Sequence, residues 1–345
     1  MPELKDHTTL RLGGPAERWV RATTEEQLID ALVEADTAGV PVLVLGGGSN
    51  LVVADAGFAG TVIEVATTGA EIDADDAPAC GGANVTIAAG EGWDDLVALA
   101  VDRGWIGIEA LSGIPGSIGA TPIQNVGAYG QEVSQTIARV RVWDRTLRGV
   151  RTFANADCRF GYRTSRFKAD RLDPWGGRHV VLSVTFQLRQ GDLSAPVAYA
   201  ELARALGIEV GQRAPLADVR RAVLALRAGK GMVLDPADHD TWSAGSFFTN
   251  PVVDADRVPE GAPAWPQPDG RVKTSAAWLI ERSGFAKGHG NDRVALSTKH
   301  TLALTNRGAA STDDLLALAR EVRDGVAERF GIELVNEPVL VGAEL

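Results

Sequence analysis

Residues Ser112 to Gln131 read SGIPGSIGATPIQNVGAYGQ, and no regular helix or strand runs easily through them. Five glycines (Gly113, Gly116, Gly119, Gly127, Gly130) and two prolines (Pro115, Pro122) break both kinds of ladder, glycine by its entropic cost and proline by its missing donor. Ser112, Ser117, Thr121, Gln124 and Asn125 supply side-chain hydrogen bonds throughout. Glycine lets amides approach a bound group and adopt positive φ, so that consecutive N–H groups form a nest for phosphate oxygens. A long solvated loop has the same composition. The spread of Ile114, Ile118, Ile123 and Val126 among the glycines favours a packed segment, and so a site.

At 345 residues the chain is too long for one ordinary core and should hold two or three domains. Its 45% apolar and 23% charged residues are those of a soluble globular protein. Cys80 and Cys158 lie far apart without C-x-x-C spacing, which suggests neither a zinc site nor a disulfide framework and fits a reducing cytosol. The N-terminus MPELKDHTTLRLGG has no apolar core of a signal peptide, and no stretch approaches the roughly 18 apolar residues of a membrane span. A cytoplasmic protein is expected.

A net charge of −11 argues against broad nucleic-acid binding, so an anionic ligand must find cations locally. Arg151 to Arg178 supplies them: seven basic residues stand against three acids. Phe153, Phe160, Tyr162 and Phe167 lie in the same run, and arginines there can lean on aromatic faces instead of forming a solvated charged loop.

Thr24 to Gly39 reads as a helix, with Thr24 as cap, Gln27 completing a capping box, and Leu28, Leu32 and Ala35 as the apolar stripe. Val40 to Val53 then places a buried strand on each side of Gly46-Gly47-Gly48-Ser49-Asn50. This loop joins strand to strand and lacks G-K-[ST], so neither the Rossmann fingerprint nor the P-loop is present. Strands are expected at Thr61–Val65, Val85–Ala89, Ala138–Trp143 and Val180–Leu188. Helices are expected at Trp93–Arg103, Tyr199–Leu206, Leu216–Ala228, Ser275–Gly284 and Thr312–Phe330. Asp235–Asp240 and Val258–Gly270 read as loops bounding a second unit, and Glu333–Val341 as the last strand.

Glu337 in LVNEPVLV is costly unless paired or at an edge, and Pro338 favours an edge, so a solvated and a functional carboxylate both stay open. Ser246 in AGSFFTNP is not in a G-x-S-x-G elbow and has no evident histidine partner, so alone it reads as a turn hydroxyl. Of only three tyrosines, Tyr129 and Tyr162 fall in the two segments already singled out, and the third is Tyr199. A tyrosine ring with a polar tip suits stacking on a flavin or base, as it suits a core.

In order along the chain, GGGSN (Gly46–Asn50), IPGSIGATPIQNVGAYGQE (Ile114–Glu132), FGYRTSRFK (Phe160–Lys168), AGSFFTNP (Ala244–Pro251), AAWLIERSGFAKG (Ala276–Gly288) and NEP (Asn336–Pro338) closely resemble the UDP-N-acetylenolpyruvoylglucosamine reductase family. The form PIQNVGAYG, with a tyrosine-bearing segment before Lys230, resembles the subtype that closes a tyrosine loop over substrate.

The resemblance implies an α+β protein with an FAD-binding fold of the p-cresol methylhydroxylase type, made of two subdomains and followed by an α+β substrate-binding domain. The expected divisions are 1–66 (to which the C-terminal segment could return), 67–212 and 213–345. It implies that FAD is held non-covalently by Gly46, Gly47, Gly48, Ser49 and Asn50 and by Gly113, Pro115, Gly116, Ser117, Gly119, Ala120 and Thr121. Gln124, Asn125, Gly127, Ala128 and Tyr129 would line the flavin. NADPH would be the co-substrate, and the partners would be small molecules only, with no nucleic acid, membrane or metal and a monomeric state.

The same resemblance implies hydride addition from flavin N5 to C3 of the enolpyruvyl group, leaving carbanion character at C2. Arg163 and Glu337, the latter protonated or sharing a proton, would stabilise that charge, and Ser246 would protonate C2. Tyr199 would cover the UDP moiety, Lys230 would neutralise diphosphate, Asn250 would bond nearby, and Tyr162 could touch substrate or flavin. His300 is left without a role. Two alternatives remain: another oxidase or dehydrogenase of this flavin fold, and a non-catalytic flavin- or nucleotide-sugar-binding module. The absence of His or Cys beside the glycine loops weighs against covalent flavin, and the presence of Ser246, Arg163 and Glu337 against a module.

Overall fold

The computed structural model describes residues 1–74, 82–173 and 175–345, so Cys80 lies outside the described residues. In chain order the first elements are β1 (Ala16–Ala22), α1 (Glu25–Ala38), β2 (Val42–Leu45), β3 (Leu51–Val53), β4 (Phe58–Val65), β5 (Ala70–Ala74), β6 (Gly82–Ala88) and α2 (Trp93–Asp102). The middle holds β7 (Trp105–Ile106), β8 (Gly127–Ala128), β9 (Gln131–Glu132), β10 (Ile137–Asp144), β11 (Gly149–Ala154), α3 (Arg166–Ala169), β12 (His179–Gln190), α4 (Ala200–Leu206) and α5 (Leu216–Gly229). The rest comprises β13 (Val252–Val253), β14 (Ala264–Pro266), β15 (Val272–Thr274), α6 (Ala276–Arg282), β16 (Val294–Leu296), β17 (Leu304–Asn306), α7 (Thr312–Phe330) and β18 (Val339–Val341).

Two compact units result, Ala16–Gly47 with Ala59–Gly229, and Pro2–Pro15 with Gly48–Phe58 and Lys230–Leu345. This division differs from the expected edges for identifiable reasons. Leu28 and Leu32 share one core with Trp93 and Phe186, which joins the two expected flavin subdomains in one unit. In α5, Val219 and Val223 pack with Ala110, Val197 and Leu202, which draws Leu216–Gly229 into the first unit. Leu10, Leu12 and Val52 pack with Phe247 and Phe248 in the second.

In the first unit, α1 starts where Thr24 Oγ1 accepts the Gln27 amide and stops at Gly39 in the left-handed conformation (φ 66°). The capping box is displaced by one residue, because Gln27 Oε1 accepts the Thr23 amide (2.9 Å). β2 pairs in parallel with β4 in the order β1-β4-β2. The larger sheet is antiparallel, β11-β10-β12-β6-β5, with β7 on β12. Its alternation buries Val85, Ile87, Val140, Val142, Val184 and Phe186 on one face, against which Trp93 of α2 packs (ring centroids 5.8 Å from Phe186).

The second unit is organised by α7, with Ser311 and Asp314 forming a capping box and Gly331 (φ 64°) ending the helix. Leu315, Leu316, Ala319, Val322 and Val326 recur at helical spacing and are buried against α6 residues Leu279 and Ile280 and the β16–β17 hairpin. β18 runs parallel to β3, so the C-terminal strand returns to an early one. The last strand is shorter than expected, Val339–Val341. Pro338 has no donor to extend it, and Asn336 forms only an isolated bridge to Phe248. β14 forms within Val258–Gly270, expected as loop, because β15 supplies its partner strand.

The basic run Arg151–Arg178 is mostly structural. Arg166 lies over Phe153 (4.8 Å), Arg151 lies over the same ring (5.8 Å), and Arg178 forks onto buried Asp144 (2.9 and 2.8 Å). His179 is buried beside them, its Nε2 3.2 Å from Asp170 and its ring edge-on to Phe153 (5.1 Å). Burial pushes the His179 imidazole below its ordinary pKa, outweighing the opposing pull of Asp170 and Asp144. Between the folded value and the unfolded value of about 6.5, the unfolded chain binds the extra proton, so stability is lost as pH falls through that range. Thermal midpoints should therefore drop as pH falls below the unfolded value of about 6.5, and His179→Gln should flatten that slope. Parallel slopes for the two proteins would refute this.

Candidate active site

The two glycine loops meet within the first unit. A Cβ on Gly47 would lie 2.6 Å from Gly116 Cα, one on Gly46 2.5 Å from Ser117 Oγ, and one on Gly119 2.7 Å from Ala89 Cβ. At Gly47 backbone therefore lies on backbone, which only glycine permits, while Gly46 and Gly119 face the side chains of Ser117 and Ala89. The second loop is fixed from below: the Trp93 amide donates to Gly116 O (3.0 Å), Ile118 to Glu91 O (2.9 Å) and Gly119 to Ala89 O (2.8 Å). Gly113 donates to Asp94 Oδ1 (2.6 Å), Ala120 to Ser117 O and Thr121 to Ile118 O (both 3.1 Å). Among the described residues, this leaves Ile114, Gly116 and Ser117 as the donors of that segment not engaged internally, fewer than the nest expected from sequence. Asp94 itself forks onto Arg220 (2.7 and 2.8 Å). Burial raises its pKa, but Arg220, the Gly113 amide and Arg227 together hold it below the ordinary value.

Four bonds tie Ile123–Gly127 to Gly161–Lys168. Asn125 Nδ2 donates to Gly161 O (3.0 Å), Arg163 Nη2 to Gly127 O (3.1 Å), Ser165 Oγ to Ile123 O (2.7 Å) and Lys168 Nζ to Gln124 Oε1 (2.9 Å). The Gly161–Thr164 hairpin presents Tyr162 and Arg163 at its tip, the guanidinium 5.8 Å from the Tyr162 ring centre. Asn125 is buried and also bonds Glu132 Oε2 (2.9 Å) and the Ser134 amide (3.2 Å). Its carboxamide is a joint between loops.

Tyr129 and Tyr199 meet edge to face, centroids 5.6 Å apart at 89°. Tyr199 is 47% exposed, and Ala198 lies so close to Gly130 that a Cβ there would sit 3.0 Å from it. Sequence reasoning missed the anchor of this tyrosine segment. Buried Glu109 accepts from the Ala195 amide (2.7 Å), Gln131 Nε2 (3.0 Å) and the Gly107 amide (2.6 Å). A lone acid in the apolar run WIGIEAL was the available signal.

In the second unit, Gly245 in the left-handed conformation (φ 71°) turns the chain into Ser246, and fully buried Phe247 and Phe248 anchor the C-terminal side of the turn. The Phe247 amide donates to Leu302 O (2.7 Å), while its carbonyl accepts the Glu337 amide (2.8 Å). Ser246 and Glu337 are thus neighbours across one backbone bond. Ser246 is half-buried, and its hydroxyl has no hydrogen-bond partner among the described residues. Asn50 backs Glu337 from the other side, with Nδ2 3.4 Å from Glu337 O and its carbonyl accepting Val339 N (2.9 Å). Gly48 (φ 61°) is held where a Cβ would run into the His7 carbonyl.

Asn250 Oδ1 accepts the Ala276 amide (2.9 Å), so this side chain holds the start of α6. Lys230 is half-buried ahead of Gly231 (φ 66°), and the His300 amide donates to Ser297 Oγ (3.2 Å). Among the described residues no helix is long and apolar enough to cross a membrane, and no group of three His, Cys, Asp or Glu could hold a metal.

A family model described as an FAD binding domain matches residues 16–149, which include both glycine loops. A second, described as the C-terminal domain of UDP-N-acetylenolpyruvoylglucosamine reductase, matches residues 235–341, which include Ser246, Asn250 and Glu337. The UDP-N-acetylenolpyruvoylglucosamine reductase of Streptomyces avermitilis is 59% identical over 355 residues, covering 98% of this chain and 93% of that protein. The protein of the same name from Cutibacterium acnes is 58% identical, with 98% and 89% covered. The crystal structure of the reductase from Thermus caldophilus superposes with a TM-score of 0.62 at 25% identity, over 99% of this chain and 97% of that one.

Proposed function

The chain belongs to the UDP-N-acetylenolpyruvoylglucosamine reductase family, and from that premise we propose how its own residues divide the reaction. It is an FAD-dependent oxidoreductase that reduces the enolpyruvyl group of UDP-N-acetylglucosamine enolpyruvate to the lactyl ether of UDP-N-acetylmuramate. The reading takes it as a cytoplasmic monomer using NADPH.

A cofactor diphosphate fits the cradle at Gly46, Gly47 and Gly116, where a Cβ at Gly46 or Gly47 would collide with the facing loop and where Gly116 and Ser117 keep donors to offer. Gln124, Gly127, Ala128 and Tyr129 are the residues to line the flavin, and Gly48, Ser49 and Asn50 continue the first loop. Bound there, FAD would supply the hydride chemistry of the reaction, from NADPH to C3 of the enolpyruvyl group.

Negative charge then grows at C2 and spreads into the substrate carboxylate. The Arg163 guanidinium counters it as a fixed charge, and Glu337 in its protonated form donates a hydrogen bond to it. Ser246 Oγ–H gives its proton to C2, completing the C–H bond, and the serine oxygen is reprotonated from solvent. A hydroxyl is a weak acid, and the step proceeds because the carbanionic carbon is a stronger base and the site is preorganised. Tyr199 covers the uridine diphosphate, Lys230 offsets its charge, and Tyr162 and Asn250 flank it. The observation that supports this reading is the bond from the Glu337 amide to the Phe247 carbonyl, which brings the backbone of Glu337 to the residue that follows Ser246.

Anaerobic stopped-flow tests it. NADPH should bleach the bound flavin, and UDP-N-acetylglucosamine enolpyruvate should restore the oxidised spectrum. Denaturation should release all the flavin, as a non-covalent cofactor requires. Failure of either half-reaction rules out the reductase reading, and flavin retained on the denatured chain rules out non-covalent binding.

A further inference from the structure

Arg163 adopts a backbone conformation that residues other than glycine seldom take (φ 52°), one of six such non-glycine positions among the described residues. A left-handed non-glycine residue is strained and persists where its surroundings over-determine it. Those surroundings can be named. The Gly161–Thr164 hairpin bonds (3.0 and 3.2 Å) close the turn, Asn125 holds the Gly161 carbonyl, and the guanidinium itself reaches Gly127 O.

A further tie comes from Lys168. Its ammonium lies 3.1 Å from the Arg163 carbonyl and 2.9 Å from Gln124 Oε1, so one cation grips the backbone of the turn and the loop facing it. Both ends of the lysine are fixed. Ser165 Oγ accepts the Lys168 amide (3.3 Å) and donates to Ile123 O (2.7 Å), which holds α3 on the same loop. A turn relaxing to negative φ would swing the Arg163 carbonyl and redirect its side chain. A charge-assisted bond to that carbonyl opposes the swing.

We infer that Lys168 is a positioning residue for reduction of the enolpyruvyl group: by holding the Arg163 carbonyl against Gln124 it fixes the direction in which the guanidinium is presented. The inference rests on the role given to Arg163 under Proposed function. A compact ammonium suits the task, because it reaches two oxygens from one point without the planar demands of a guanidinium.

The test uses the full-length, FAD-loaded enzyme and reads the two half-reactions separately. Lys168→Met, which keeps the aliphatic stem, should leave flavin reduction by NADPH within about twofold of wild type. It should slow re-oxidation by UDP-N-acetylglucosamine enolpyruvate about tenfold to a hundredfold, the scale on which a misplacement of about 1 Å acts. Lys168→Gln is measured alongside as a second neutral replacement with the same expected pattern, and Lys168→Arg, which keeps the charge but not the compact head, should recover part of the rate. Placed on Arg163→Met, Lys168→Met should add no further slowing, because the group it positions is gone.

Re-oxidation at the wild-type rate in both neutral variants overturns the inference. So does equal slowing of both half-reactions, or full additivity with Arg163→Met. Wild-type re-oxidation in Arg163→Met itself would instead overturn the role of Arg163, a result distinct from a slow Arg163→Met beside an unimpaired Lys168→Met.

Discussion

A Ser246→Ala enzyme is expected to fold, bind FAD and be reduced by NADPH at the wild-type rate, and then to turn over on the order of 10²- to 10⁴-fold more slowly. The structural reason to trust such a variant is that the hydroxyl engages no described residue, while the turn is held by Gly245 at φ 71° and by buried Phe247 and Phe248. Removing one unengaged oxygen should change stability by no more than about 0.5 kcal/mol. Any large kinetic loss therefore reports chemistry. Only the step that protonates C2 needs the acid, so the loss should appear wholly in re-oxidation by the enolpyruvyl substrate. If both half-reactions slow together, Ser246 acts through the flavin or the fold, and its role as general acid is wrong.

Gly47→Ala is expected to yield protein that loses its flavin. The added Cβ would stand 2.6 Å from Gly116 Cα and 3.2 Å from Gly116 C, both backbone atoms that cannot rotate away. The Gly116 loop is itself pinned by the Trp93 and Ile118 bonds, so the strain falls on the contact between the two loops. Overpacking of this kind costs about 1–3 kcal/mol. If the cradle bears that cost only when FAD must be held, affinity drops about tenfold to a hundredfold. Gly39→Ala serves as the control. It places alanine at the left-handed cap of α1, a backbone strain that Gly47 does not carry, with nothing within 4 Å of the new Cβ. It should lower stability slightly and leave flavin content unchanged. Full flavin occupancy at wild-type affinity in Gly47→Ala would remove the glycine cradle from the FAD site.

Much of this protein is legible before folding, and the legible parts share a physical basis. Helices α1 and α7 arise from local chemistry, a hydroxyl cap, an apolar stripe at helical spacing and a left-handed glycine stop, all within one stretch of chain. The glycine loops stand out because a residue without a side chain is wanted where backbones touch. Glu109, Lys168 and the true ends of the units are different. Their roles are fixed by partners tens of residues away, such as Ala195 for Glu109 and Gln124 for Lys168, and no local pattern encodes such a pairing.

Ser112–Gln131 shows the division within one segment. Its composition determines that it is a packed, glycine-rich loop, and the ordered motifs determine the family. Tertiary contacts decide which of its groups are still available: most amides of Gly113–Thr121 are engaged inside the protein, and the Asn125 side chain binds two loops together. Likewise, the order Asn336-Glu337-Pro338 is fixed by sequence, but only the fold sets the Glu337 amide on the Phe247 carbonyl beside Ser246. The reason is that local conformational preference acts over a few residues, whereas a hydrogen bond acts over about 3 Å of space regardless of separation along the chain.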